Sequence, residues 1–366
     1  MKNYKFLFFL LVLFFFFSCL NEEELPVAHL AQRTVLIYIA ADNNLYKQAE
    51  KDIEEMLLAE VPKNNHLIVY LDTPFQTELY EIKQGEIIFV KQYEPQNSAS
   101  PEILELIIKE TILLFPAESY GLVLWSHGTG WLPENTYKNF RSFGKDKQAE
   151  MSIIELEKAL PLKFDFIIFD ACLMGGIEVL YQLRNKADVI ISSPTETLAT
   201  GFPYNETVPF FWGKEPYYVE IAQTYMNYYR NKLNPILQSA SIAVIETKQL
   251  SSLANSLKNV IIEDQISFIY SDKDQIQKYE LKEQVVYYDL LDFFKQSVSK
   301  SEYIEEIQKK ISDIVIYSDF TPFFLNELAI TNSCGISIFI SSNPDLIEDY
   351  MFLDWYIDSQ LLYYWK

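Results

Sequence analysis

The sequence predicts an α/β layer fold, with a mainly parallel central sheet covered by helices on both faces. Five runs carry that reading: TVLIYIAA (34–41), HLIVYLD (66–72), YGLVLWSHG (120–128), FDFIIFDAC (164–172) and DVIISSP (188–194). Each is short, rich in β-branched and aromatic residues, and bounded by polar or turn-forming ones, as strands are. They are too continuously apolar to leave one face in water, which marks strands of a parallel sheet buried on both sides. Helix-like segments separate most of them, and that alternation builds crossover connections.

The elements follow in order. ADNNL turns the chain into an amphipathic stretch from Leu45 to about Ala59, with Ile53, Met56 and Leu57 on one face. Leu79 to Tyr93, broken at Gln84-Gly85, reads as a hairpin. Pro101 opens a helix that runs to about Phe115, since proline suits a first helical turn. After HGTGW a polar, irregular stretch is expected from Pro133 to Glu150. Ser152 caps the next helix, with Glu155 in the capping-box position. Gly175 and Gly176 lead into a helix ending near Arg184. Beyond Gly201 the patterns predict helices over 217–233, 249–263 and 302–316 and strands over 241–247 and 334–341. No repeat or low-complexity segment interrupts the chain.

The N-terminus reads as an export signal. Lys2 and Lys5 precede an apolar run from Phe6 to Phe17, which meets Ser18 and Cys19. That run, about a dozen residues, is too short to span a bilayer as a helix. Cys19 sits where bacterial lipoproteins carry their lipidated cysteine, and Asn21 to Glu24 with Pro26 suit a tether. The organisation expected is a lipoprotein signal over 1–18, an acidic tether over 19–33, a catalytic domain over 34–230, and a C-terminal α/β extension over 231–366 that packs on or completes it. The protein would then be exported and lipid-anchored to the envelope, at the outer membrane and facing outward. Cleavage before Cys19 removes two lysines and takes the net charge from −21 to −23. So acidic a chain is unsuited to nucleic acid, whose phosphates are held by lysine and arginine.

In open parallel sheets, functional groups gather beyond the carboxyl ends of the strands. His127 ends one such strand and Cys172 another, 45 residues later. If those strands are neighbours, both side chains stand on one rim, where a histidine can take the thiol proton and return it to a leaving amine. A helix beginning near Met174 would aim its N-terminus at the sulfur. The N–H groups of Gly128 and Cys172 would face the oxyanion. Taken singly, a cysteine at a strand end also reads as a small buried hydrophobe, or as half of a disulfide with Cys334. His29 and His66 have no partner pattern.

LVLWSHGTGW followed by FDFIIFDACLMGGIEVLYQL resembles the two signature segments of the clostripain family of cysteine peptidases. YIAADNNL (38–45) and SSPTETLATGFPY (192–204) resemble its flanking segments. The resemblance covers roughly Val35 to Tyr204. It implies a caspase-like three-layer sandwich and a dyad of His127 as acid–base and Cys172 as nucleophile, with Gly128 as an oxyanion donor. It also implies that Asp170, two residues before the nucleophile, lines an acidic pocket selecting arginine or lysine at P1, with Glu196 as a second acid. Peptides or proteins with basic residues would be the substrates. Some family members need calcium, although no D-x-D-x-D-G loop names ligands here. Some cut themselves between the histidine and the cysteine, where Lys138, Arg141, Lys145 and Lys147 offer basic sites. The rival reading is a surface lipoprotein that keeps this scaffold as a binding module with weak or no activity.

Overall fold

The computed structural model describes residues 30–361 apart from 133–141, 148, 215, 265–269 and 282–285. The expected signal, Cys19 and most of the tether lie outside the described residues. The chain first lays down β1 (Ala31–Ala40), then passes through α1 (Tyr46–Leu58) to β2 (Asn65–Asp72). Two antiparallel strands, β3 (Thr77–Lys83) and β4 (Glu86–Gln92), extend that edge. Through α2 (Pro101–Leu114) the chain returns to the other side of β1 as β5 (Ala117–Trp125). A hairpin of β6 (Phe143–Asp146) and β7 (Ala149–Met151) precedes α3 (Ile153–Ala159), β8 (Phe164–Asp170), α4 (Ile177–Gln182) and β9 (Ala187–Ser192). Then α5 (Tyr204–Thr207) and α6 (Tyr218–Arg230) lead to β10 (Ser241–Glu246).

The remaining elements are α7 (Leu250–Asp264), β11 (Tyr287–Asp289), α8 (Leu290–Ser297), α9 (Ser301–Ile314) and the edge strand β12 (Val315–Phe320). After a small hairpin, β13 (Phe323–Phe324) with β14 (Leu328–Ala329), come β15 (Ser337–Phe339), α10 (Pro344–Tyr350) and α11 (Asp354–Ser359).

The main sheet runs β12-β10-β9-β8-β5-β1-β2-β3-β4. Its five central strands are parallel, and an antiparallel pair closes each side. Side chains alternate along β1, as a strand requires. Val35, Ile37 and Ile39 pack with α1, α5 and α6, whereas Leu36, Tyr38 and Ala40 pack with α2, α3, α4 and the C-terminal helices. That is the expected three-layer sandwich. The chain builds outward from β1 to β2 and then crosses back to β5. The order therefore reverses between β1 and β5, where open α/β sheets form a crevice at their carboxyl rim. Among the described residues, no helix is long and apolar enough to cross a membrane.

Several expectations need correction. The polar stretch 133–150 contains the β6–β7 hairpin, because Phe143 and Met151 each bury an apolar side chain there. The helix expected over 302–316 stops at Ile314, and Val315–Phe320 continue as an edge strand. Beyond residue 230, β10 and β12 lie in the same sheet as β1, and residues from Ala31 onward form one compact unit. Residues 31–33, assigned to the tether, open β1. Arg33 is only 1% exposed, and its Nη2 contacts Asp165 Oδ2 at 2.5 Å. Its Nη1 donates to the carbonyls of Phe211 (3.0 Å) and Gly213 (2.7 Å). This guanidinium ties β1, β8 and the segment after α5 together.

Arg33→Met is therefore expected to lower unfolding free energy by about 2 kcal/mol in denaturant titration, since it leaves three carbonyls and a part-exposed carboxylate without their donor. A loss below about 0.5 kcal/mol, typical of a surface change, would show that the pair contributes little.

Candidate active site

The geometry is measured from one pair. In the parallel register of β5 and β8, Trp125 lies opposite Asp170, the last residue of each strand. His127 and Cys172 each follow two residues later, so the two loops leave the sheet side by side. Their backbones touch: a Cβ on Gly128 would stand 2.7 Å from the Cys172 carbonyl oxygen. Only glycine allows that approach. A cavity of about 130 Å³ opens there, lined by Leu45, Trp125, His127, Asp170, Cys172 and the 197–201 loop.

Hydrogen bonds fix each group. The Cys172 sulfur accepts from the Thr197 N–H at 3.2 Å. His127 Nε2 lies 2.9 Å from Asn44 Oδ1, so Nε2–H donates to the amide oxygen and Nδ1 is the nitrogen left to take a proton. Burial lowers the His127 pKa from its ordinary value, and the nearby Lys145 ammonium lowers it further. The imidazole is thus neutral and basic at pH 7. The β6 segment holds this loop in place through Gly144 N–H to the His127 carbonyl (3.1 Å) and Thr129 N–H to the Ser142 carbonyl (3.0 Å).

Asp170 is 5% exposed, and its Oδ2 accepts from the Phe202 N–H (3.1 Å) and the Tyr204 hydroxyl (2.9 Å). Burial pushes its pKa up to about 6 against those donors. Behind it lies a second acid, Asp52 of α1, which is 2% exposed and accepts from the Trp125 indole N–H at 2.7 Å. Burial, reinforced by the charge of Asp170, pushes Asp52 up to about 9, so this carboxyl is protonated at pH 7. Glu196 is half-buried on the same loop as Thr197 but is not among the residues lining the cavity.

Cys172 and Cys334 are not joined in a disulfide. The Cys334 thiol donates to the Ile336 carbonyl, and burial beside Asp289 drives its pKa up. The helix expected near Met174 begins only at Ile177, so Cys172 sits in a turn before it and gains no first-turn N–H groups. Among the described residues, no cluster of three or more His, Cys, Asp or Glu is placed to hold a metal ion. Lys138 and Arg141 lie outside the described residues.

A model of the Clostripain family matches residues 37–364. The chain belongs to the clostripain family of cysteine proteases. It is similar to clostripain of Hathewaya histolytica, 28% identical over 215 residues, which are 47% of this chain and 41% of that protein. The chain thus matches about two fifths of this curated relative's length. It resembles the structure of a secreted C11 cysteine protease from Bacteroides thetaiotaomicron bound to an irreversible peptide inhibitor, with a TM-score of 0.82 and 30% identity over 90% of this chain and 99% of that one. It also resembles an inactive zymogen C11 protease from Parabacteroides distasonis, with a TM-score of 0.79 and 32% identity over 93% of this chain and all of that one.

Three residues at this candidate site escape a reading of the sequence alone: Asn44, Thr197 and Asp52. Only Asp52 carries a local signal. It lies on the buried arc of α1 with Ala49, Ile53 and Met56, where an acid breaks the helix's own pattern.

Lys145→Met should raise the His127 pKa. The acidic limb of kcat/KM reports loss of the neutral base, so it should move to higher pH in the variant. An unmoved limb, or one displaced downward, would show that Lys145 does not act on the imidazole.

Proposed function

We propose that this protein is a cysteine endopeptidase with a Cys172–His127 dyad that cleaves after arginine or lysine. One observation carries the reading: the thiol, the imidazole and a buried carboxyl line the same small cavity at the sheet's carboxyl rim. Relatives described as C11 cysteine proteases over nearly the whole fold support the class of reaction.

In this account His127 Nδ1 takes the thiol proton of Cys172, and the sulfur attacks the scissile carbonyl carbon. The backbone N–H groups of Gly128 and Cys172 receive the oxyanion. Collapse breaks the C–N bond as the imidazolium protonates the leaving amine, which leaves a thioester on Cys172. Water, deprotonated by His127, then hydrolyses the thioester and restores the thiol. The P1 side chain enters beside Trp125, and its cation pairs with Asp170, with Asp52 behind as a second acid. A bound cation would lower the Asp170 pKa, so substrate and carboxylate stabilise each other. Glu196 is kept as a peripheral acid of the same loop. The strongly negative chain favours approach of basic peptides. Export and lipidation at Cys19 belong to the same proposal, in keeping with a similar C11 protease described as secreted.

The test uses the chain from Glu22 onward on fluorogenic peptides bearing Arg, Lys, Asp or Leu at P1. Arg and Lys peptides should be cleaved, and Cys172→Ala should abolish cleavage. Asp170→Asn should lower kcat/KM for the Arg peptide by about 10- to 100-fold, the worth of a hydrogen bond to a charged group. Because the pocket works as a carboxylate, KM for Arg peptides should rise as pH falls through about 6. Cleavage confined to Asp or Leu peptides would remove Asp170 from its role. Turnover surviving in Cys172→Ala would remove the dyad.

A further inference from the structure

The C-terminal region enters the site through one hydroxyl. Tyr287 of β11 is fully buried, and its OH donates to the Thr129 carbonyl at 2.8 Å while accepting from the Trp131 N–H at 3.3 Å. Thr129 and Trp131 lie in the loop that carries His127 and Gly128. Between them Gly130 has φ +76°, and a Cβ there would stand 2.2 Å from the Tyr287 oxygen. The loop is therefore shaped around this phenol. The strand paired with β11 holds the other catalytic loop: β15 aligns Phe339 with Tyr287 and Ser337 with Asp289. The Ser337 N–H donates to the Gly175 carbonyl at 3.0 Å, three residues after the nucleophile. One two-stranded unit thus grips the histidine loop with one strand and the cysteine loop with the other.

Its setting is rigid. Trp131 packs edge-on against Phe339 (4.8 Å between ring centroids) and Tyr350 (5.1 Å). Buried Glu178 accepts from the Phe339 N–H (2.9 Å) and the Tyr350 hydroxyl (3.0 Å), which joins α4, β15 and α10. The ring of Tyr287 packs edge-on beside Phe339, and its hydroxyl end reaches the catalytic loop.

We infer that Tyr287 is a positioning residue of the peptidase, setting the spacing of His127 and the Gly128 N–H relative to Cys172 through the β11–β15 clip. The inference rests on the proposed Cys–His chemistry. Misplacement of a reacting group by about 1 Å is enough to cost up to roughly 100-fold in rate. The acid proposed to receive the P1 cation, Asp170, is held instead by Phe202 and Tyr204, so the effect should fall mainly on kcat.

Tyr287→Phe keeps the ring and removes the hydroxyl. In the chain from Glu22 onward, kcat on an Arg peptide should fall about 10- to 100-fold, with KM within roughly threefold of wild type. Amide exchange in the peptide spanning residues 127–132 should speed up, with the thermal midpoint nearly unchanged. Unchanged kcat, equal changes in kcat and KM, or unchanged exchange in that peptide would each overturn the inference. If the unmodified chain cleaves nothing, the peptidase reading fails separately. The exchange measurement then decides whether Tyr287 holds the loop: faster exchange supports it and unchanged exchange ends it.

Discussion

The pairing of Trp125 with Asp170 across two parallel strands is the constraint on which the site depends. Parallel strands in register send their loops off the same rim at the same height. Two residues past that pair stand His127 on one side and Cys172 on the other, with the glycine at 128 letting the backbones meet. The same pair also supplies the pocket, since Trp125 lines its wall and Asp170 its floor. A slip of one residue between β5 and β8 would turn each of these side chains to the opposite face. The apolar faces of β1, β5 and β8, buried on both sides, make that slip costly. Register here is thus held by the hydrophobic layers rather than by the catalytic groups.

The electrostatics follow from burial on that rim. Removing two carboxyl groups from water raises both pKa values, and the charge of Asp170 pushes Asp52 further up against its single donor. Asp170, with two donors, stays near 6, while Asp52, with one, reaches about 9. A pocket of this kind holds one negative charge at neutral pH and a proton in reserve. Under the proposed function that charge would meet the cation of an arginine or lysine side chain. The imidazole opposite is shifted the other way by the same cause, which keeps it unprotonated and able to accept the thiol proton.

Much of this was legible in the sequence. The five parallel strands, both crossover loops and the His127–Cys172 pair follow from hydrophobic runs, glycines and chain order. Those signals are local, and each residue carries its own. The rest was not local. β12 and the β6–β7 hairpin are short and half-buried, without the alternation or length that marks a strand. The helix expected from near Met174 begins three residues later, at Ile177. In the structure Gly175 instead bonds across to Ser193 and Ser337. Asn44 bonds to a residue 83 positions away and Tyr287 to residues 156 and 158 positions away, and nothing nearby in the chain announces such partners. Arg33 falls at the end of the expected tether; arginine is ordinarily exposed, but here it is buried. Its burial depends on Asp165 and on carbonyls beyond residue 210.

The account stands on Cys172 being the nucleophile that His127 activates. The direct measurement is peptide mapping by mass spectrometry after exposure to a peptidyl acyloxymethyl ketone bearing arginine at P1. The geometry predicts a single adduct on Cys172, none on Cys334, whose raised pKa keeps it a thiol, and loss of labelling in His127→Ala. An adduct on Cys334, or labelling of Cys172 that is undiminished without His127, would contradict it.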